Sequence, residues 1–217
     1  MTPKGFTLDL RHAPFNERYI DKLRGVINIA LATHTRTMAI IMLLRFPDYN
    51  DCDDSIANTP DMSSGVFSRF IESLDAKITA YQRRLQSRGQ RIYTCKLTYA
   101  WVREYGAEGK PHYHAVLFVN KDTFCSLGDF TRRSDNLGSF IEEAWSSALK
   151  TQDTPEYRTL VHFPDNPLYY LNGNADNFEA ASAYESLSFR LSYLAKERSK
   201  IYSREQRSFG GSQGRKP

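Results

Sequence analysis

Cysteine is scarce. The three present, Cys52, Cys95 and Cys125, are odd in number, far apart and never spaced Cys-x-x-Cys, so neither a disulfide framework nor a zinc knuckle is implied and a reducing cytoplasm is the simpler compartment. Long apolar runs are also lacking. The longest, Met38 to Leu44, is too short to span a bilayer and suits a buried strand, which argues against a membrane partner. The opening Met1-Thr2-Pro3-Lys4-Gly5-Phe6 has no apolar signal-peptide core. There is no internal repeat and no glycine-rich phosphate loop of the helicase type. These absences leave 217 residues, 41% of them apolar, enough for one core carrying a terminal extension.

Charge is present but unevenly spread. The net value is only +4, yet eight Lys and Arg lie between Arg190 and Pro217 and eight more between Lys77 and Lys110, while Asp48 to Asp61 holds five Asp and no base. Segregation of this kind suits a polyanion on the basic surfaces, although a solvated surface explains composition alone equally well. Asp51-Cys52-Asp53-Asp54 reads as a solvated loop rather than a metal site.

Periodicity gives the elements in order. Residues 1–14 show no pattern and read as loose. Asn16 caps a helix reaching Ala32, with Tyr19, Ile20, Leu23, Val26, Ile27, Ala30 and Leu31 at helical spacing; His34, just beyond, reads as a surface histidine. Arg36 to Phe46, apolar almost throughout, is a central strand. A helix capped by Asp61 or Ser63 follows, with Val66, Phe67, Phe70, Ile71, Leu74, Ile78, Tyr81 and Leu85 at helical spacing, and it stops at Gly89. Strands are expected over Arg91–Glu104, His112–Val119 and Tyr157–Phe163, and helices over Leu137–Leu149 and from Asn177 to about Lys200. Trp145 falls on the core stripe of its helix. Strand–helix–strand–strand–helix–strand–helix is an α+β fold, a central antiparallel sheet of the split βαβ kind with helices packed on it. The organisation expected is an N-terminal extension over 1–35, a main domain over 36–202 and a basic, glycine-rich, mobile tail over 203–217.

Chemistry concentrates where two strands meet. His112 and His114 share a strand face because side chains alternate. If the strands pair about Glu108, residue 104 lies opposite 112 and 102 opposite 114, and Glu104 joins the histidines. A register slip of one would send the carboxylate to the far side. Two imidazoles and a carboxylate suit Mn²⁺ or Mg²⁺ with open positions at least as well as Zn²⁺. On the last helix, Leu187, Leu191 and Leu194 face the core with Tyr184, whereas Tyr193 falls about 160° from Leu191, on the side of Lys196 and Lys200. A phenol beside an ammonium is a poised nucleophile. Taken alone, Tyr193-x-x-Lys196 reads as the polar face of an amphipathic helix.

Glu104, His112-Tyr113-His114 and Tyr193-x-x-Lys196, in that order, resemble the HUH superfamily of replication initiators and relaxases, whose fold is ferredoxin- or RRM-like. Arg103-Glu104, seven residues, then His112-Tyr113-His114 with Gly109-Lys110-Pro111 before it, is similar to the metal strands of small viral rolling-circle Rep proteins; Phe46-Pro47 is a weaker echo of their first motif. Met62 to Gly211 resembles inovirus-type replication proteins and YagK/YfjJ-like prophage proteins through Phe67-Ser68-Arg69-Phe70-Ile71, Trp101-Val102-Arg103-Glu104, Ser192-Tyr193-Leu194-Ala195-Lys196 and Arg207-Ser208-Phe209-Gly210. Two departures are visible. Tyr113 fills a slot usually held by a bulky apolar residue, and one tyrosine stands where some branches carry two.

The resemblance implies a metal-dependent endonuclease that nicks single-stranded DNA at a replication origin in a bacterial host cytoplasm, with host helicase and polymerase as partners. Glu104, His112 and His114 would hold one Mg²⁺ or Mn²⁺. Tyr193 would attack to leave a 5′-phosphotyrosine, and Lys196 would assist deprotonation or hold the phosphate. A second transfer would need a second protomer, hence a homodimer, or release and reattack. Lys110, Lys200, Arg204 and Arg207 would contact the DNA backbone. A single-tyrosine transposase or relaxase would use the same chemistry. A non-catalytic single-strand-binding module would account for the charge and aromatics alone.

Overall fold

The computed structural model describes residues 5–47, 60–106, 109–129, 134–152, 155–175, 177–198, 200, 202 and 207–214. The acidic stretch 48–59, Glu108 and Arg204 lie outside them. Four helices pack on one antiparallel sheet: α1 (Glu17–Thr33), α2 (Val66–Ser87), α3 (Leu137–Leu149) and α4 (Phe178–Ser192). The strands are β1 (Arg36–Arg45), β2 (Thr98–Tyr105), β3 (Pro111–Asn120), β4 (Val161–His162), β5 (Leu168–Asn172) and β6 (Phe209–Gly211).

The sheet runs β4-β1-β3-β2-β6, with β5 also on β1. β3 lies antiparallel between β1 and β2. The connection β1–α2–β2 is thus split by β3, the expected α+β arrangement. β1 is central and buried along nearly its whole length, which its unbroken Thr37 to Leu44 run requires.

Alternation of side chains divides the interior in two. On one sheet face Met38, Ile40, Met42 and Leu44 of β1 meet Phe67, Phe70 and Leu74 of α2 and Ile141 and Trp145 of α3. Leu97, Tyr99 and Trp101 lie on this face, opposite Glu104, as their parity demands. Trp145 is fully buried and donates its indole N–H to the Arg45 carbonyl at 2.8 Å, so it is a core residue. On the other face Ala39, Ile41, Ala100, Val102 and Val116 meet Leu23 and Ile27 of α1 and Leu187 and Leu191 of α4. Tyr184 is buried there as a packing tyrosine.

Caps explain several helix starts. Asn16, Asn136 and Asn177 each accept a bond from the backbone N–H three residues on. For α2 the expected cap is displaced: Gly65 holds the N-cap position without a side-chain bond, and Asp61 accepts from Ser63 N at 3.1 Å.

Four expectations change. β2 begins at Thr98 rather than Arg91, because side chains satisfy the preceding backbone: Asn120 Nδ2 donates to Thr94 O and Lys96 N donates to His34 Nε2. The strand expected over Tyr157–Phe163 is a 3-10 turn, Pro155–Leu160, before the two residues of β4. Arg158 in that turn pairs with Glu142 of α3, with Nε at 2.8 Å from Oε2. The stretch from Pro164 to Asn174, read as turns, contains β5, whose Leu171 enters the second core. The glycine-rich tail supplies β6, which pairs Phe209 with Val102 and covers the edge of β2.

The N-terminal segment is also pinned rather than loose. Thr7 N donates to Ser188 Oγ, Asp9 N to Ser192 Oγ and Asn16 N to the Ala195 carbonyl. This segment explains where α4 stops. The helix ends at Ser192, not near Lys200, and Tyr193–Ala195 forms a 3-10 turn. A continued helix would need the Ala195 carbonyl and the Glu197 N–H; Asn16 N takes the first and the Pro14 carbonyl takes the second. Among the described residues no helix is long and apolar enough to cross a membrane.

Candidate metal and tyrosine centre

The β2–β3 ladder pairs Glu104 with His112 and Val102 with His114, the register expected from a turn centred on residue 108. The connection is closed by Gly106 N donating to the Lys110 carbonyl at 2.9 Å, with Gly109 at a φ of 71° that favours glycine. Glu104, His112 and His114 therefore share the α1/α4 face of the sheet. One ligand atom from each can be chosen so that all lie within 4.8 Å of one another.

Glu104 is 2% exposed and has many partners. Its Oε2 lies 3.1 Å from Lys196 Nζ and 3.4 Å from His114 Nε2, and its Oε1 accepts from Lys200 Nζ. Burial alone would raise its pKa. Hydrogen bonds from His114 and Lys200, with their charges, overcome burial and hold the carboxyl well below the usual carboxylate range. His112 moves the other way to most paired histidines: burial and then the neighbouring His114 push its pKa down, favouring the neutral imidazole that a metal requires. Lys200 is likewise pulled down by burial despite its carboxylate partner.

The donor set fits a divalent ion. Donors around one such ion at about 2.1 Å each stand roughly 3 to 4.2 Å apart, so the widest pair of the triad needs to close by about 0.6 to 1.8 Å. A carboxylate offers about four lone-pair directions, so the lysines need not exclude an ion from Glu104.

Tyr193 stands over this group. Its ring centroid is 5.1 Å from that of His114, and Lys196 Nζ lies 3.4 Å from the centre of the phenol ring. Tyr193 opens the 3-10 turn with its backbone still helical and packs half-buried against the second core; the path departs from a helix only beyond it, at Lys196.

Sequence reasoning missed the other side of the phenol. His12 meets the Tyr193 ring edge-on at 4.9 Å, and Asp9 Oδ2 lies 3.6 Å from His12 Nε2. Asp9 is buried and also holds Arg11, 2.7 Å from its Nε. The only available signal was the spacing Asp9-x-x-His12 in a stretch with no apolar period.

The expected backbone contacts divide. Lys110 leads into β3, and Arg207 is exposed just before β6. The side chain of Lys200 has no exposure at all; it turns inward to Glu104 rather than outward to a phosphate. Arg204 lies outside the described residues.

Comparison with known proteins places the chain among relatives of similar length. It is 38% identical over 195 residues to "Uncharacterized protein YagK" of Escherichia coli (strain K12), covering 90% of this chain and 92% of that protein. It is 34% identical over 199 residues to "Uncharacterized protein YfjJ" of the same strain, covering 90% and 94%. No solved structure matches. The model of the YagK/YfjJ C-terminal domain matches residues 6–212, across both sheet faces and both ends of the described fold, and the chain belongs to that family.

Proposed function

We propose that this chain is a single-stranded DNA endonuclease and strand transferase of the HUH kind, nicking a replication origin through Tyr193. The observation that carries this is the meeting of Tyr193 and Lys196 with the Glu104, His112 and His114 face, from parts of the chain some ninety residues apart. Packing alone does not require a tyrosine, two histidines, a glutamate and two lysines around one point.

In the reaction, the Tyr193 oxygen attacks the scissile phosphorus. One O–P bond forms, the P–O3′ bond breaks, and the strand is left as a 5′-phosphotyrosine and a free 3′-hydroxyl. The phenolic proton goes to solvent or a neighbouring base, and the departing 3′-oxygen takes up another. The ammonium of Lys196, already paired with Glu104, serves as a fixed positive charge beside the attacking ring. Lys200 neutralises and orients Glu104 from the far side. His112 stands opposite Glu104 and His114 opposite Val102, and each brings a ring nitrogen within 4.8 Å of a Glu104 carboxylate oxygen. A Mg²⁺ or Mn²⁺ ion held by these three side chains would supply electrophilic polarisation of a non-bridging phosphate oxygen.

The test is a denaturing gel of end-labelled single-stranded DNA spanning candidate origins, with Mn²⁺ or Mg²⁺ and with EDTA. A metal-dependent product joined to protein in the wild type, absent in Tyr193→Phe while DNA binding stays within about twofold, supports the assignment; an adduct that persists in Tyr193→Phe rules it out. A second reading draws on the ion pairs of Glu104 with Lys196 and Lys200, which complete a charge cluster without a metal. On that reading the chain is a non-catalytic single-strand-binding module, and it would bind without cleaving under every metal.

A further inference from the structure

A cleft of about 320 Å³ opens directly beside Tyr193 and His114. Its floor is Ile41 and Leu43 of β1, Leu43 standing opposite His114 in the ladder. His162 of β4 forms one side, Phe189 and Arg190 of α4 the other, and Arg11 of the N-terminal segment the rim.

Three observations say what it takes. Phe189 is 39% exposed on a helix whose Tyr184, Leu187 and Leu191 are buried. It lies one helical turn before Tyr193, a rise of about 6 Å. Two cationic groups share the cleft with that ring: the Arg11 guanidinium is 5.9 Å from its centroid, and Arg190 is exposed and has no ion pair among the described residues. An apolar floor, an exposed ring and a free guanidinium beside a nucleophile match the parts of one nucleotide: a base to stack, a sugar to cover and a phosphate to neutralise. The volume lies at the small end for ligand pockets and suits a single unit rather than a run.

We infer that this cleft is a subsite for one unstacked nucleotide adjoining the scissile phosphate, with its base on Phe189 and its phosphate toward Arg190. The inference rests on the nicking reading for the identity of the strand, but not for the presence of the subsite. The N-terminal segment is then part of the substrate surface, since Arg11 closes the rim.

The experiment uses the full chain in EDTA, so that no strand is cut, and a labelled single-stranded oligonucleotide made abasic at one position at a time. Wild type, Phe189→Ala and Phe189→Tyr are compared by fluorescence anisotropy. One abasic position is expected to weaken wild-type binding about 5- to 100-fold, and Phe189→Ala to weaken the intact strand by a similar factor. On the strand abasic at that position, Phe189→Ala should cost nothing more, and Phe189→Tyr should bind like wild type. Arg190→Ala should reduce the salt dependence by about one phosphate contact. A Phe189→Ala effect that is absent, or equal on every abasic strand, overturns the subsite. The metal-dependent adduct is scored separately: adduct without coupling removes the subsite alone, and coupling without adduct removes the nicking chemistry alone. Thermal melting confirms that each variant is folded.

Discussion

Replacing Lys200 by Met removes one half of a buried ion pair and leaves Glu104 with two partners instead of three. The side chain has no exposure, and its carboxylate partner is 2% exposed. Breaking such a pair from one side costs about 3–5 kcal/mol, because a charge is left in the interior without its counter-ion. Lys196 at 3.1 Å and His114 at 3.4 Å remain on Glu104, which places the expected loss at the lower end, about 3 kcal/mol. For a chain of this size that lowers the melting temperature by roughly 6–12 °C. Burial disfavours the charge on both partners, with opposite outcomes. Glu104 is held ionised by its neighbours, whereas burial draws Lys200 toward its neutral form, so the ammonium side of the pair opposes folding. Removing both charges in Glu104→Gln/Lys200→Met should therefore cost less than the sum of the single changes, by 1 kcal/mol or more. The pH dependence has a definite sign. The folded carboxyl titrates below its ordinary 4.5, so the stability it contributes is present above about pH 4.5 and is lost as pH falls below that value. The acid limb should be shallower in Lys200→Met. Urea denaturation in EDTA at pH 7 and across pH 3–5 measures all of this. A single-variant loss under about 0.5 kcal/mol, or strict additivity in the double variant, refutes the reasoning.

Two further outcomes are expected. Gly210→Ala places a Cβ about 2.4 Å from the Trp101 ring, so β6 must lift from β2; a loss of about 1–3 kcal/mol and faster hydrogen exchange at the Arg103 amide, which donates to the Ser208 carbonyl, should follow, and unchanged exchange would show that the indole simply turns aside. His114→Ala removes one member of the triad and should weaken Mn²⁺ binding at least tenfold by calorimetry; equal affinity in wild type and variant would place any ion elsewhere.

The Glu104–His112 register was legible because local rules fix it: two strands of clear alternation, a short Gly/Pro-bearing connection and a single slip that would bury the wrong face. The helix over Leu137–Leu149 was legible for the same reason, its apolar stripe lying within its own residues. The end of α4 was not. Residues 193–200 read as helix, and only bonds from Asn16 and to Pro14, remote in sequence, divert them. Lys200 was misplaced as a consequence, since a helical continuation carries its ammonium to solvent and the observed path carries it to Glu104. β5 and β6 escaped notice because short strands among glycine, asparagine and proline borrow their stability from the edges they join. His12 and Asp9 had only their spacing and no apolar period to betray them; the backbone of Asp9 is held by Ser192, far along the chain.

The bracket formed by the N-terminal segment also bears on the order of synthesis. Asp9 and Thr7 leave the ribosome early but must wait for Ser192 and Ser188 before their backbone donors have the acceptors seen here, separations of 183 and 181 residues. β2 waits in the same way for Phe209 to cover its edge. Contacts this distant in sequence close slowly and late. The turn bearing Tyr193 is thus held in place only after Ser188 and Ser192 have followed the N-terminal segment, so a nascent chain can pair β1, β2 and β3 and build its α2–α3 core before it presents a finished tyrosine centre.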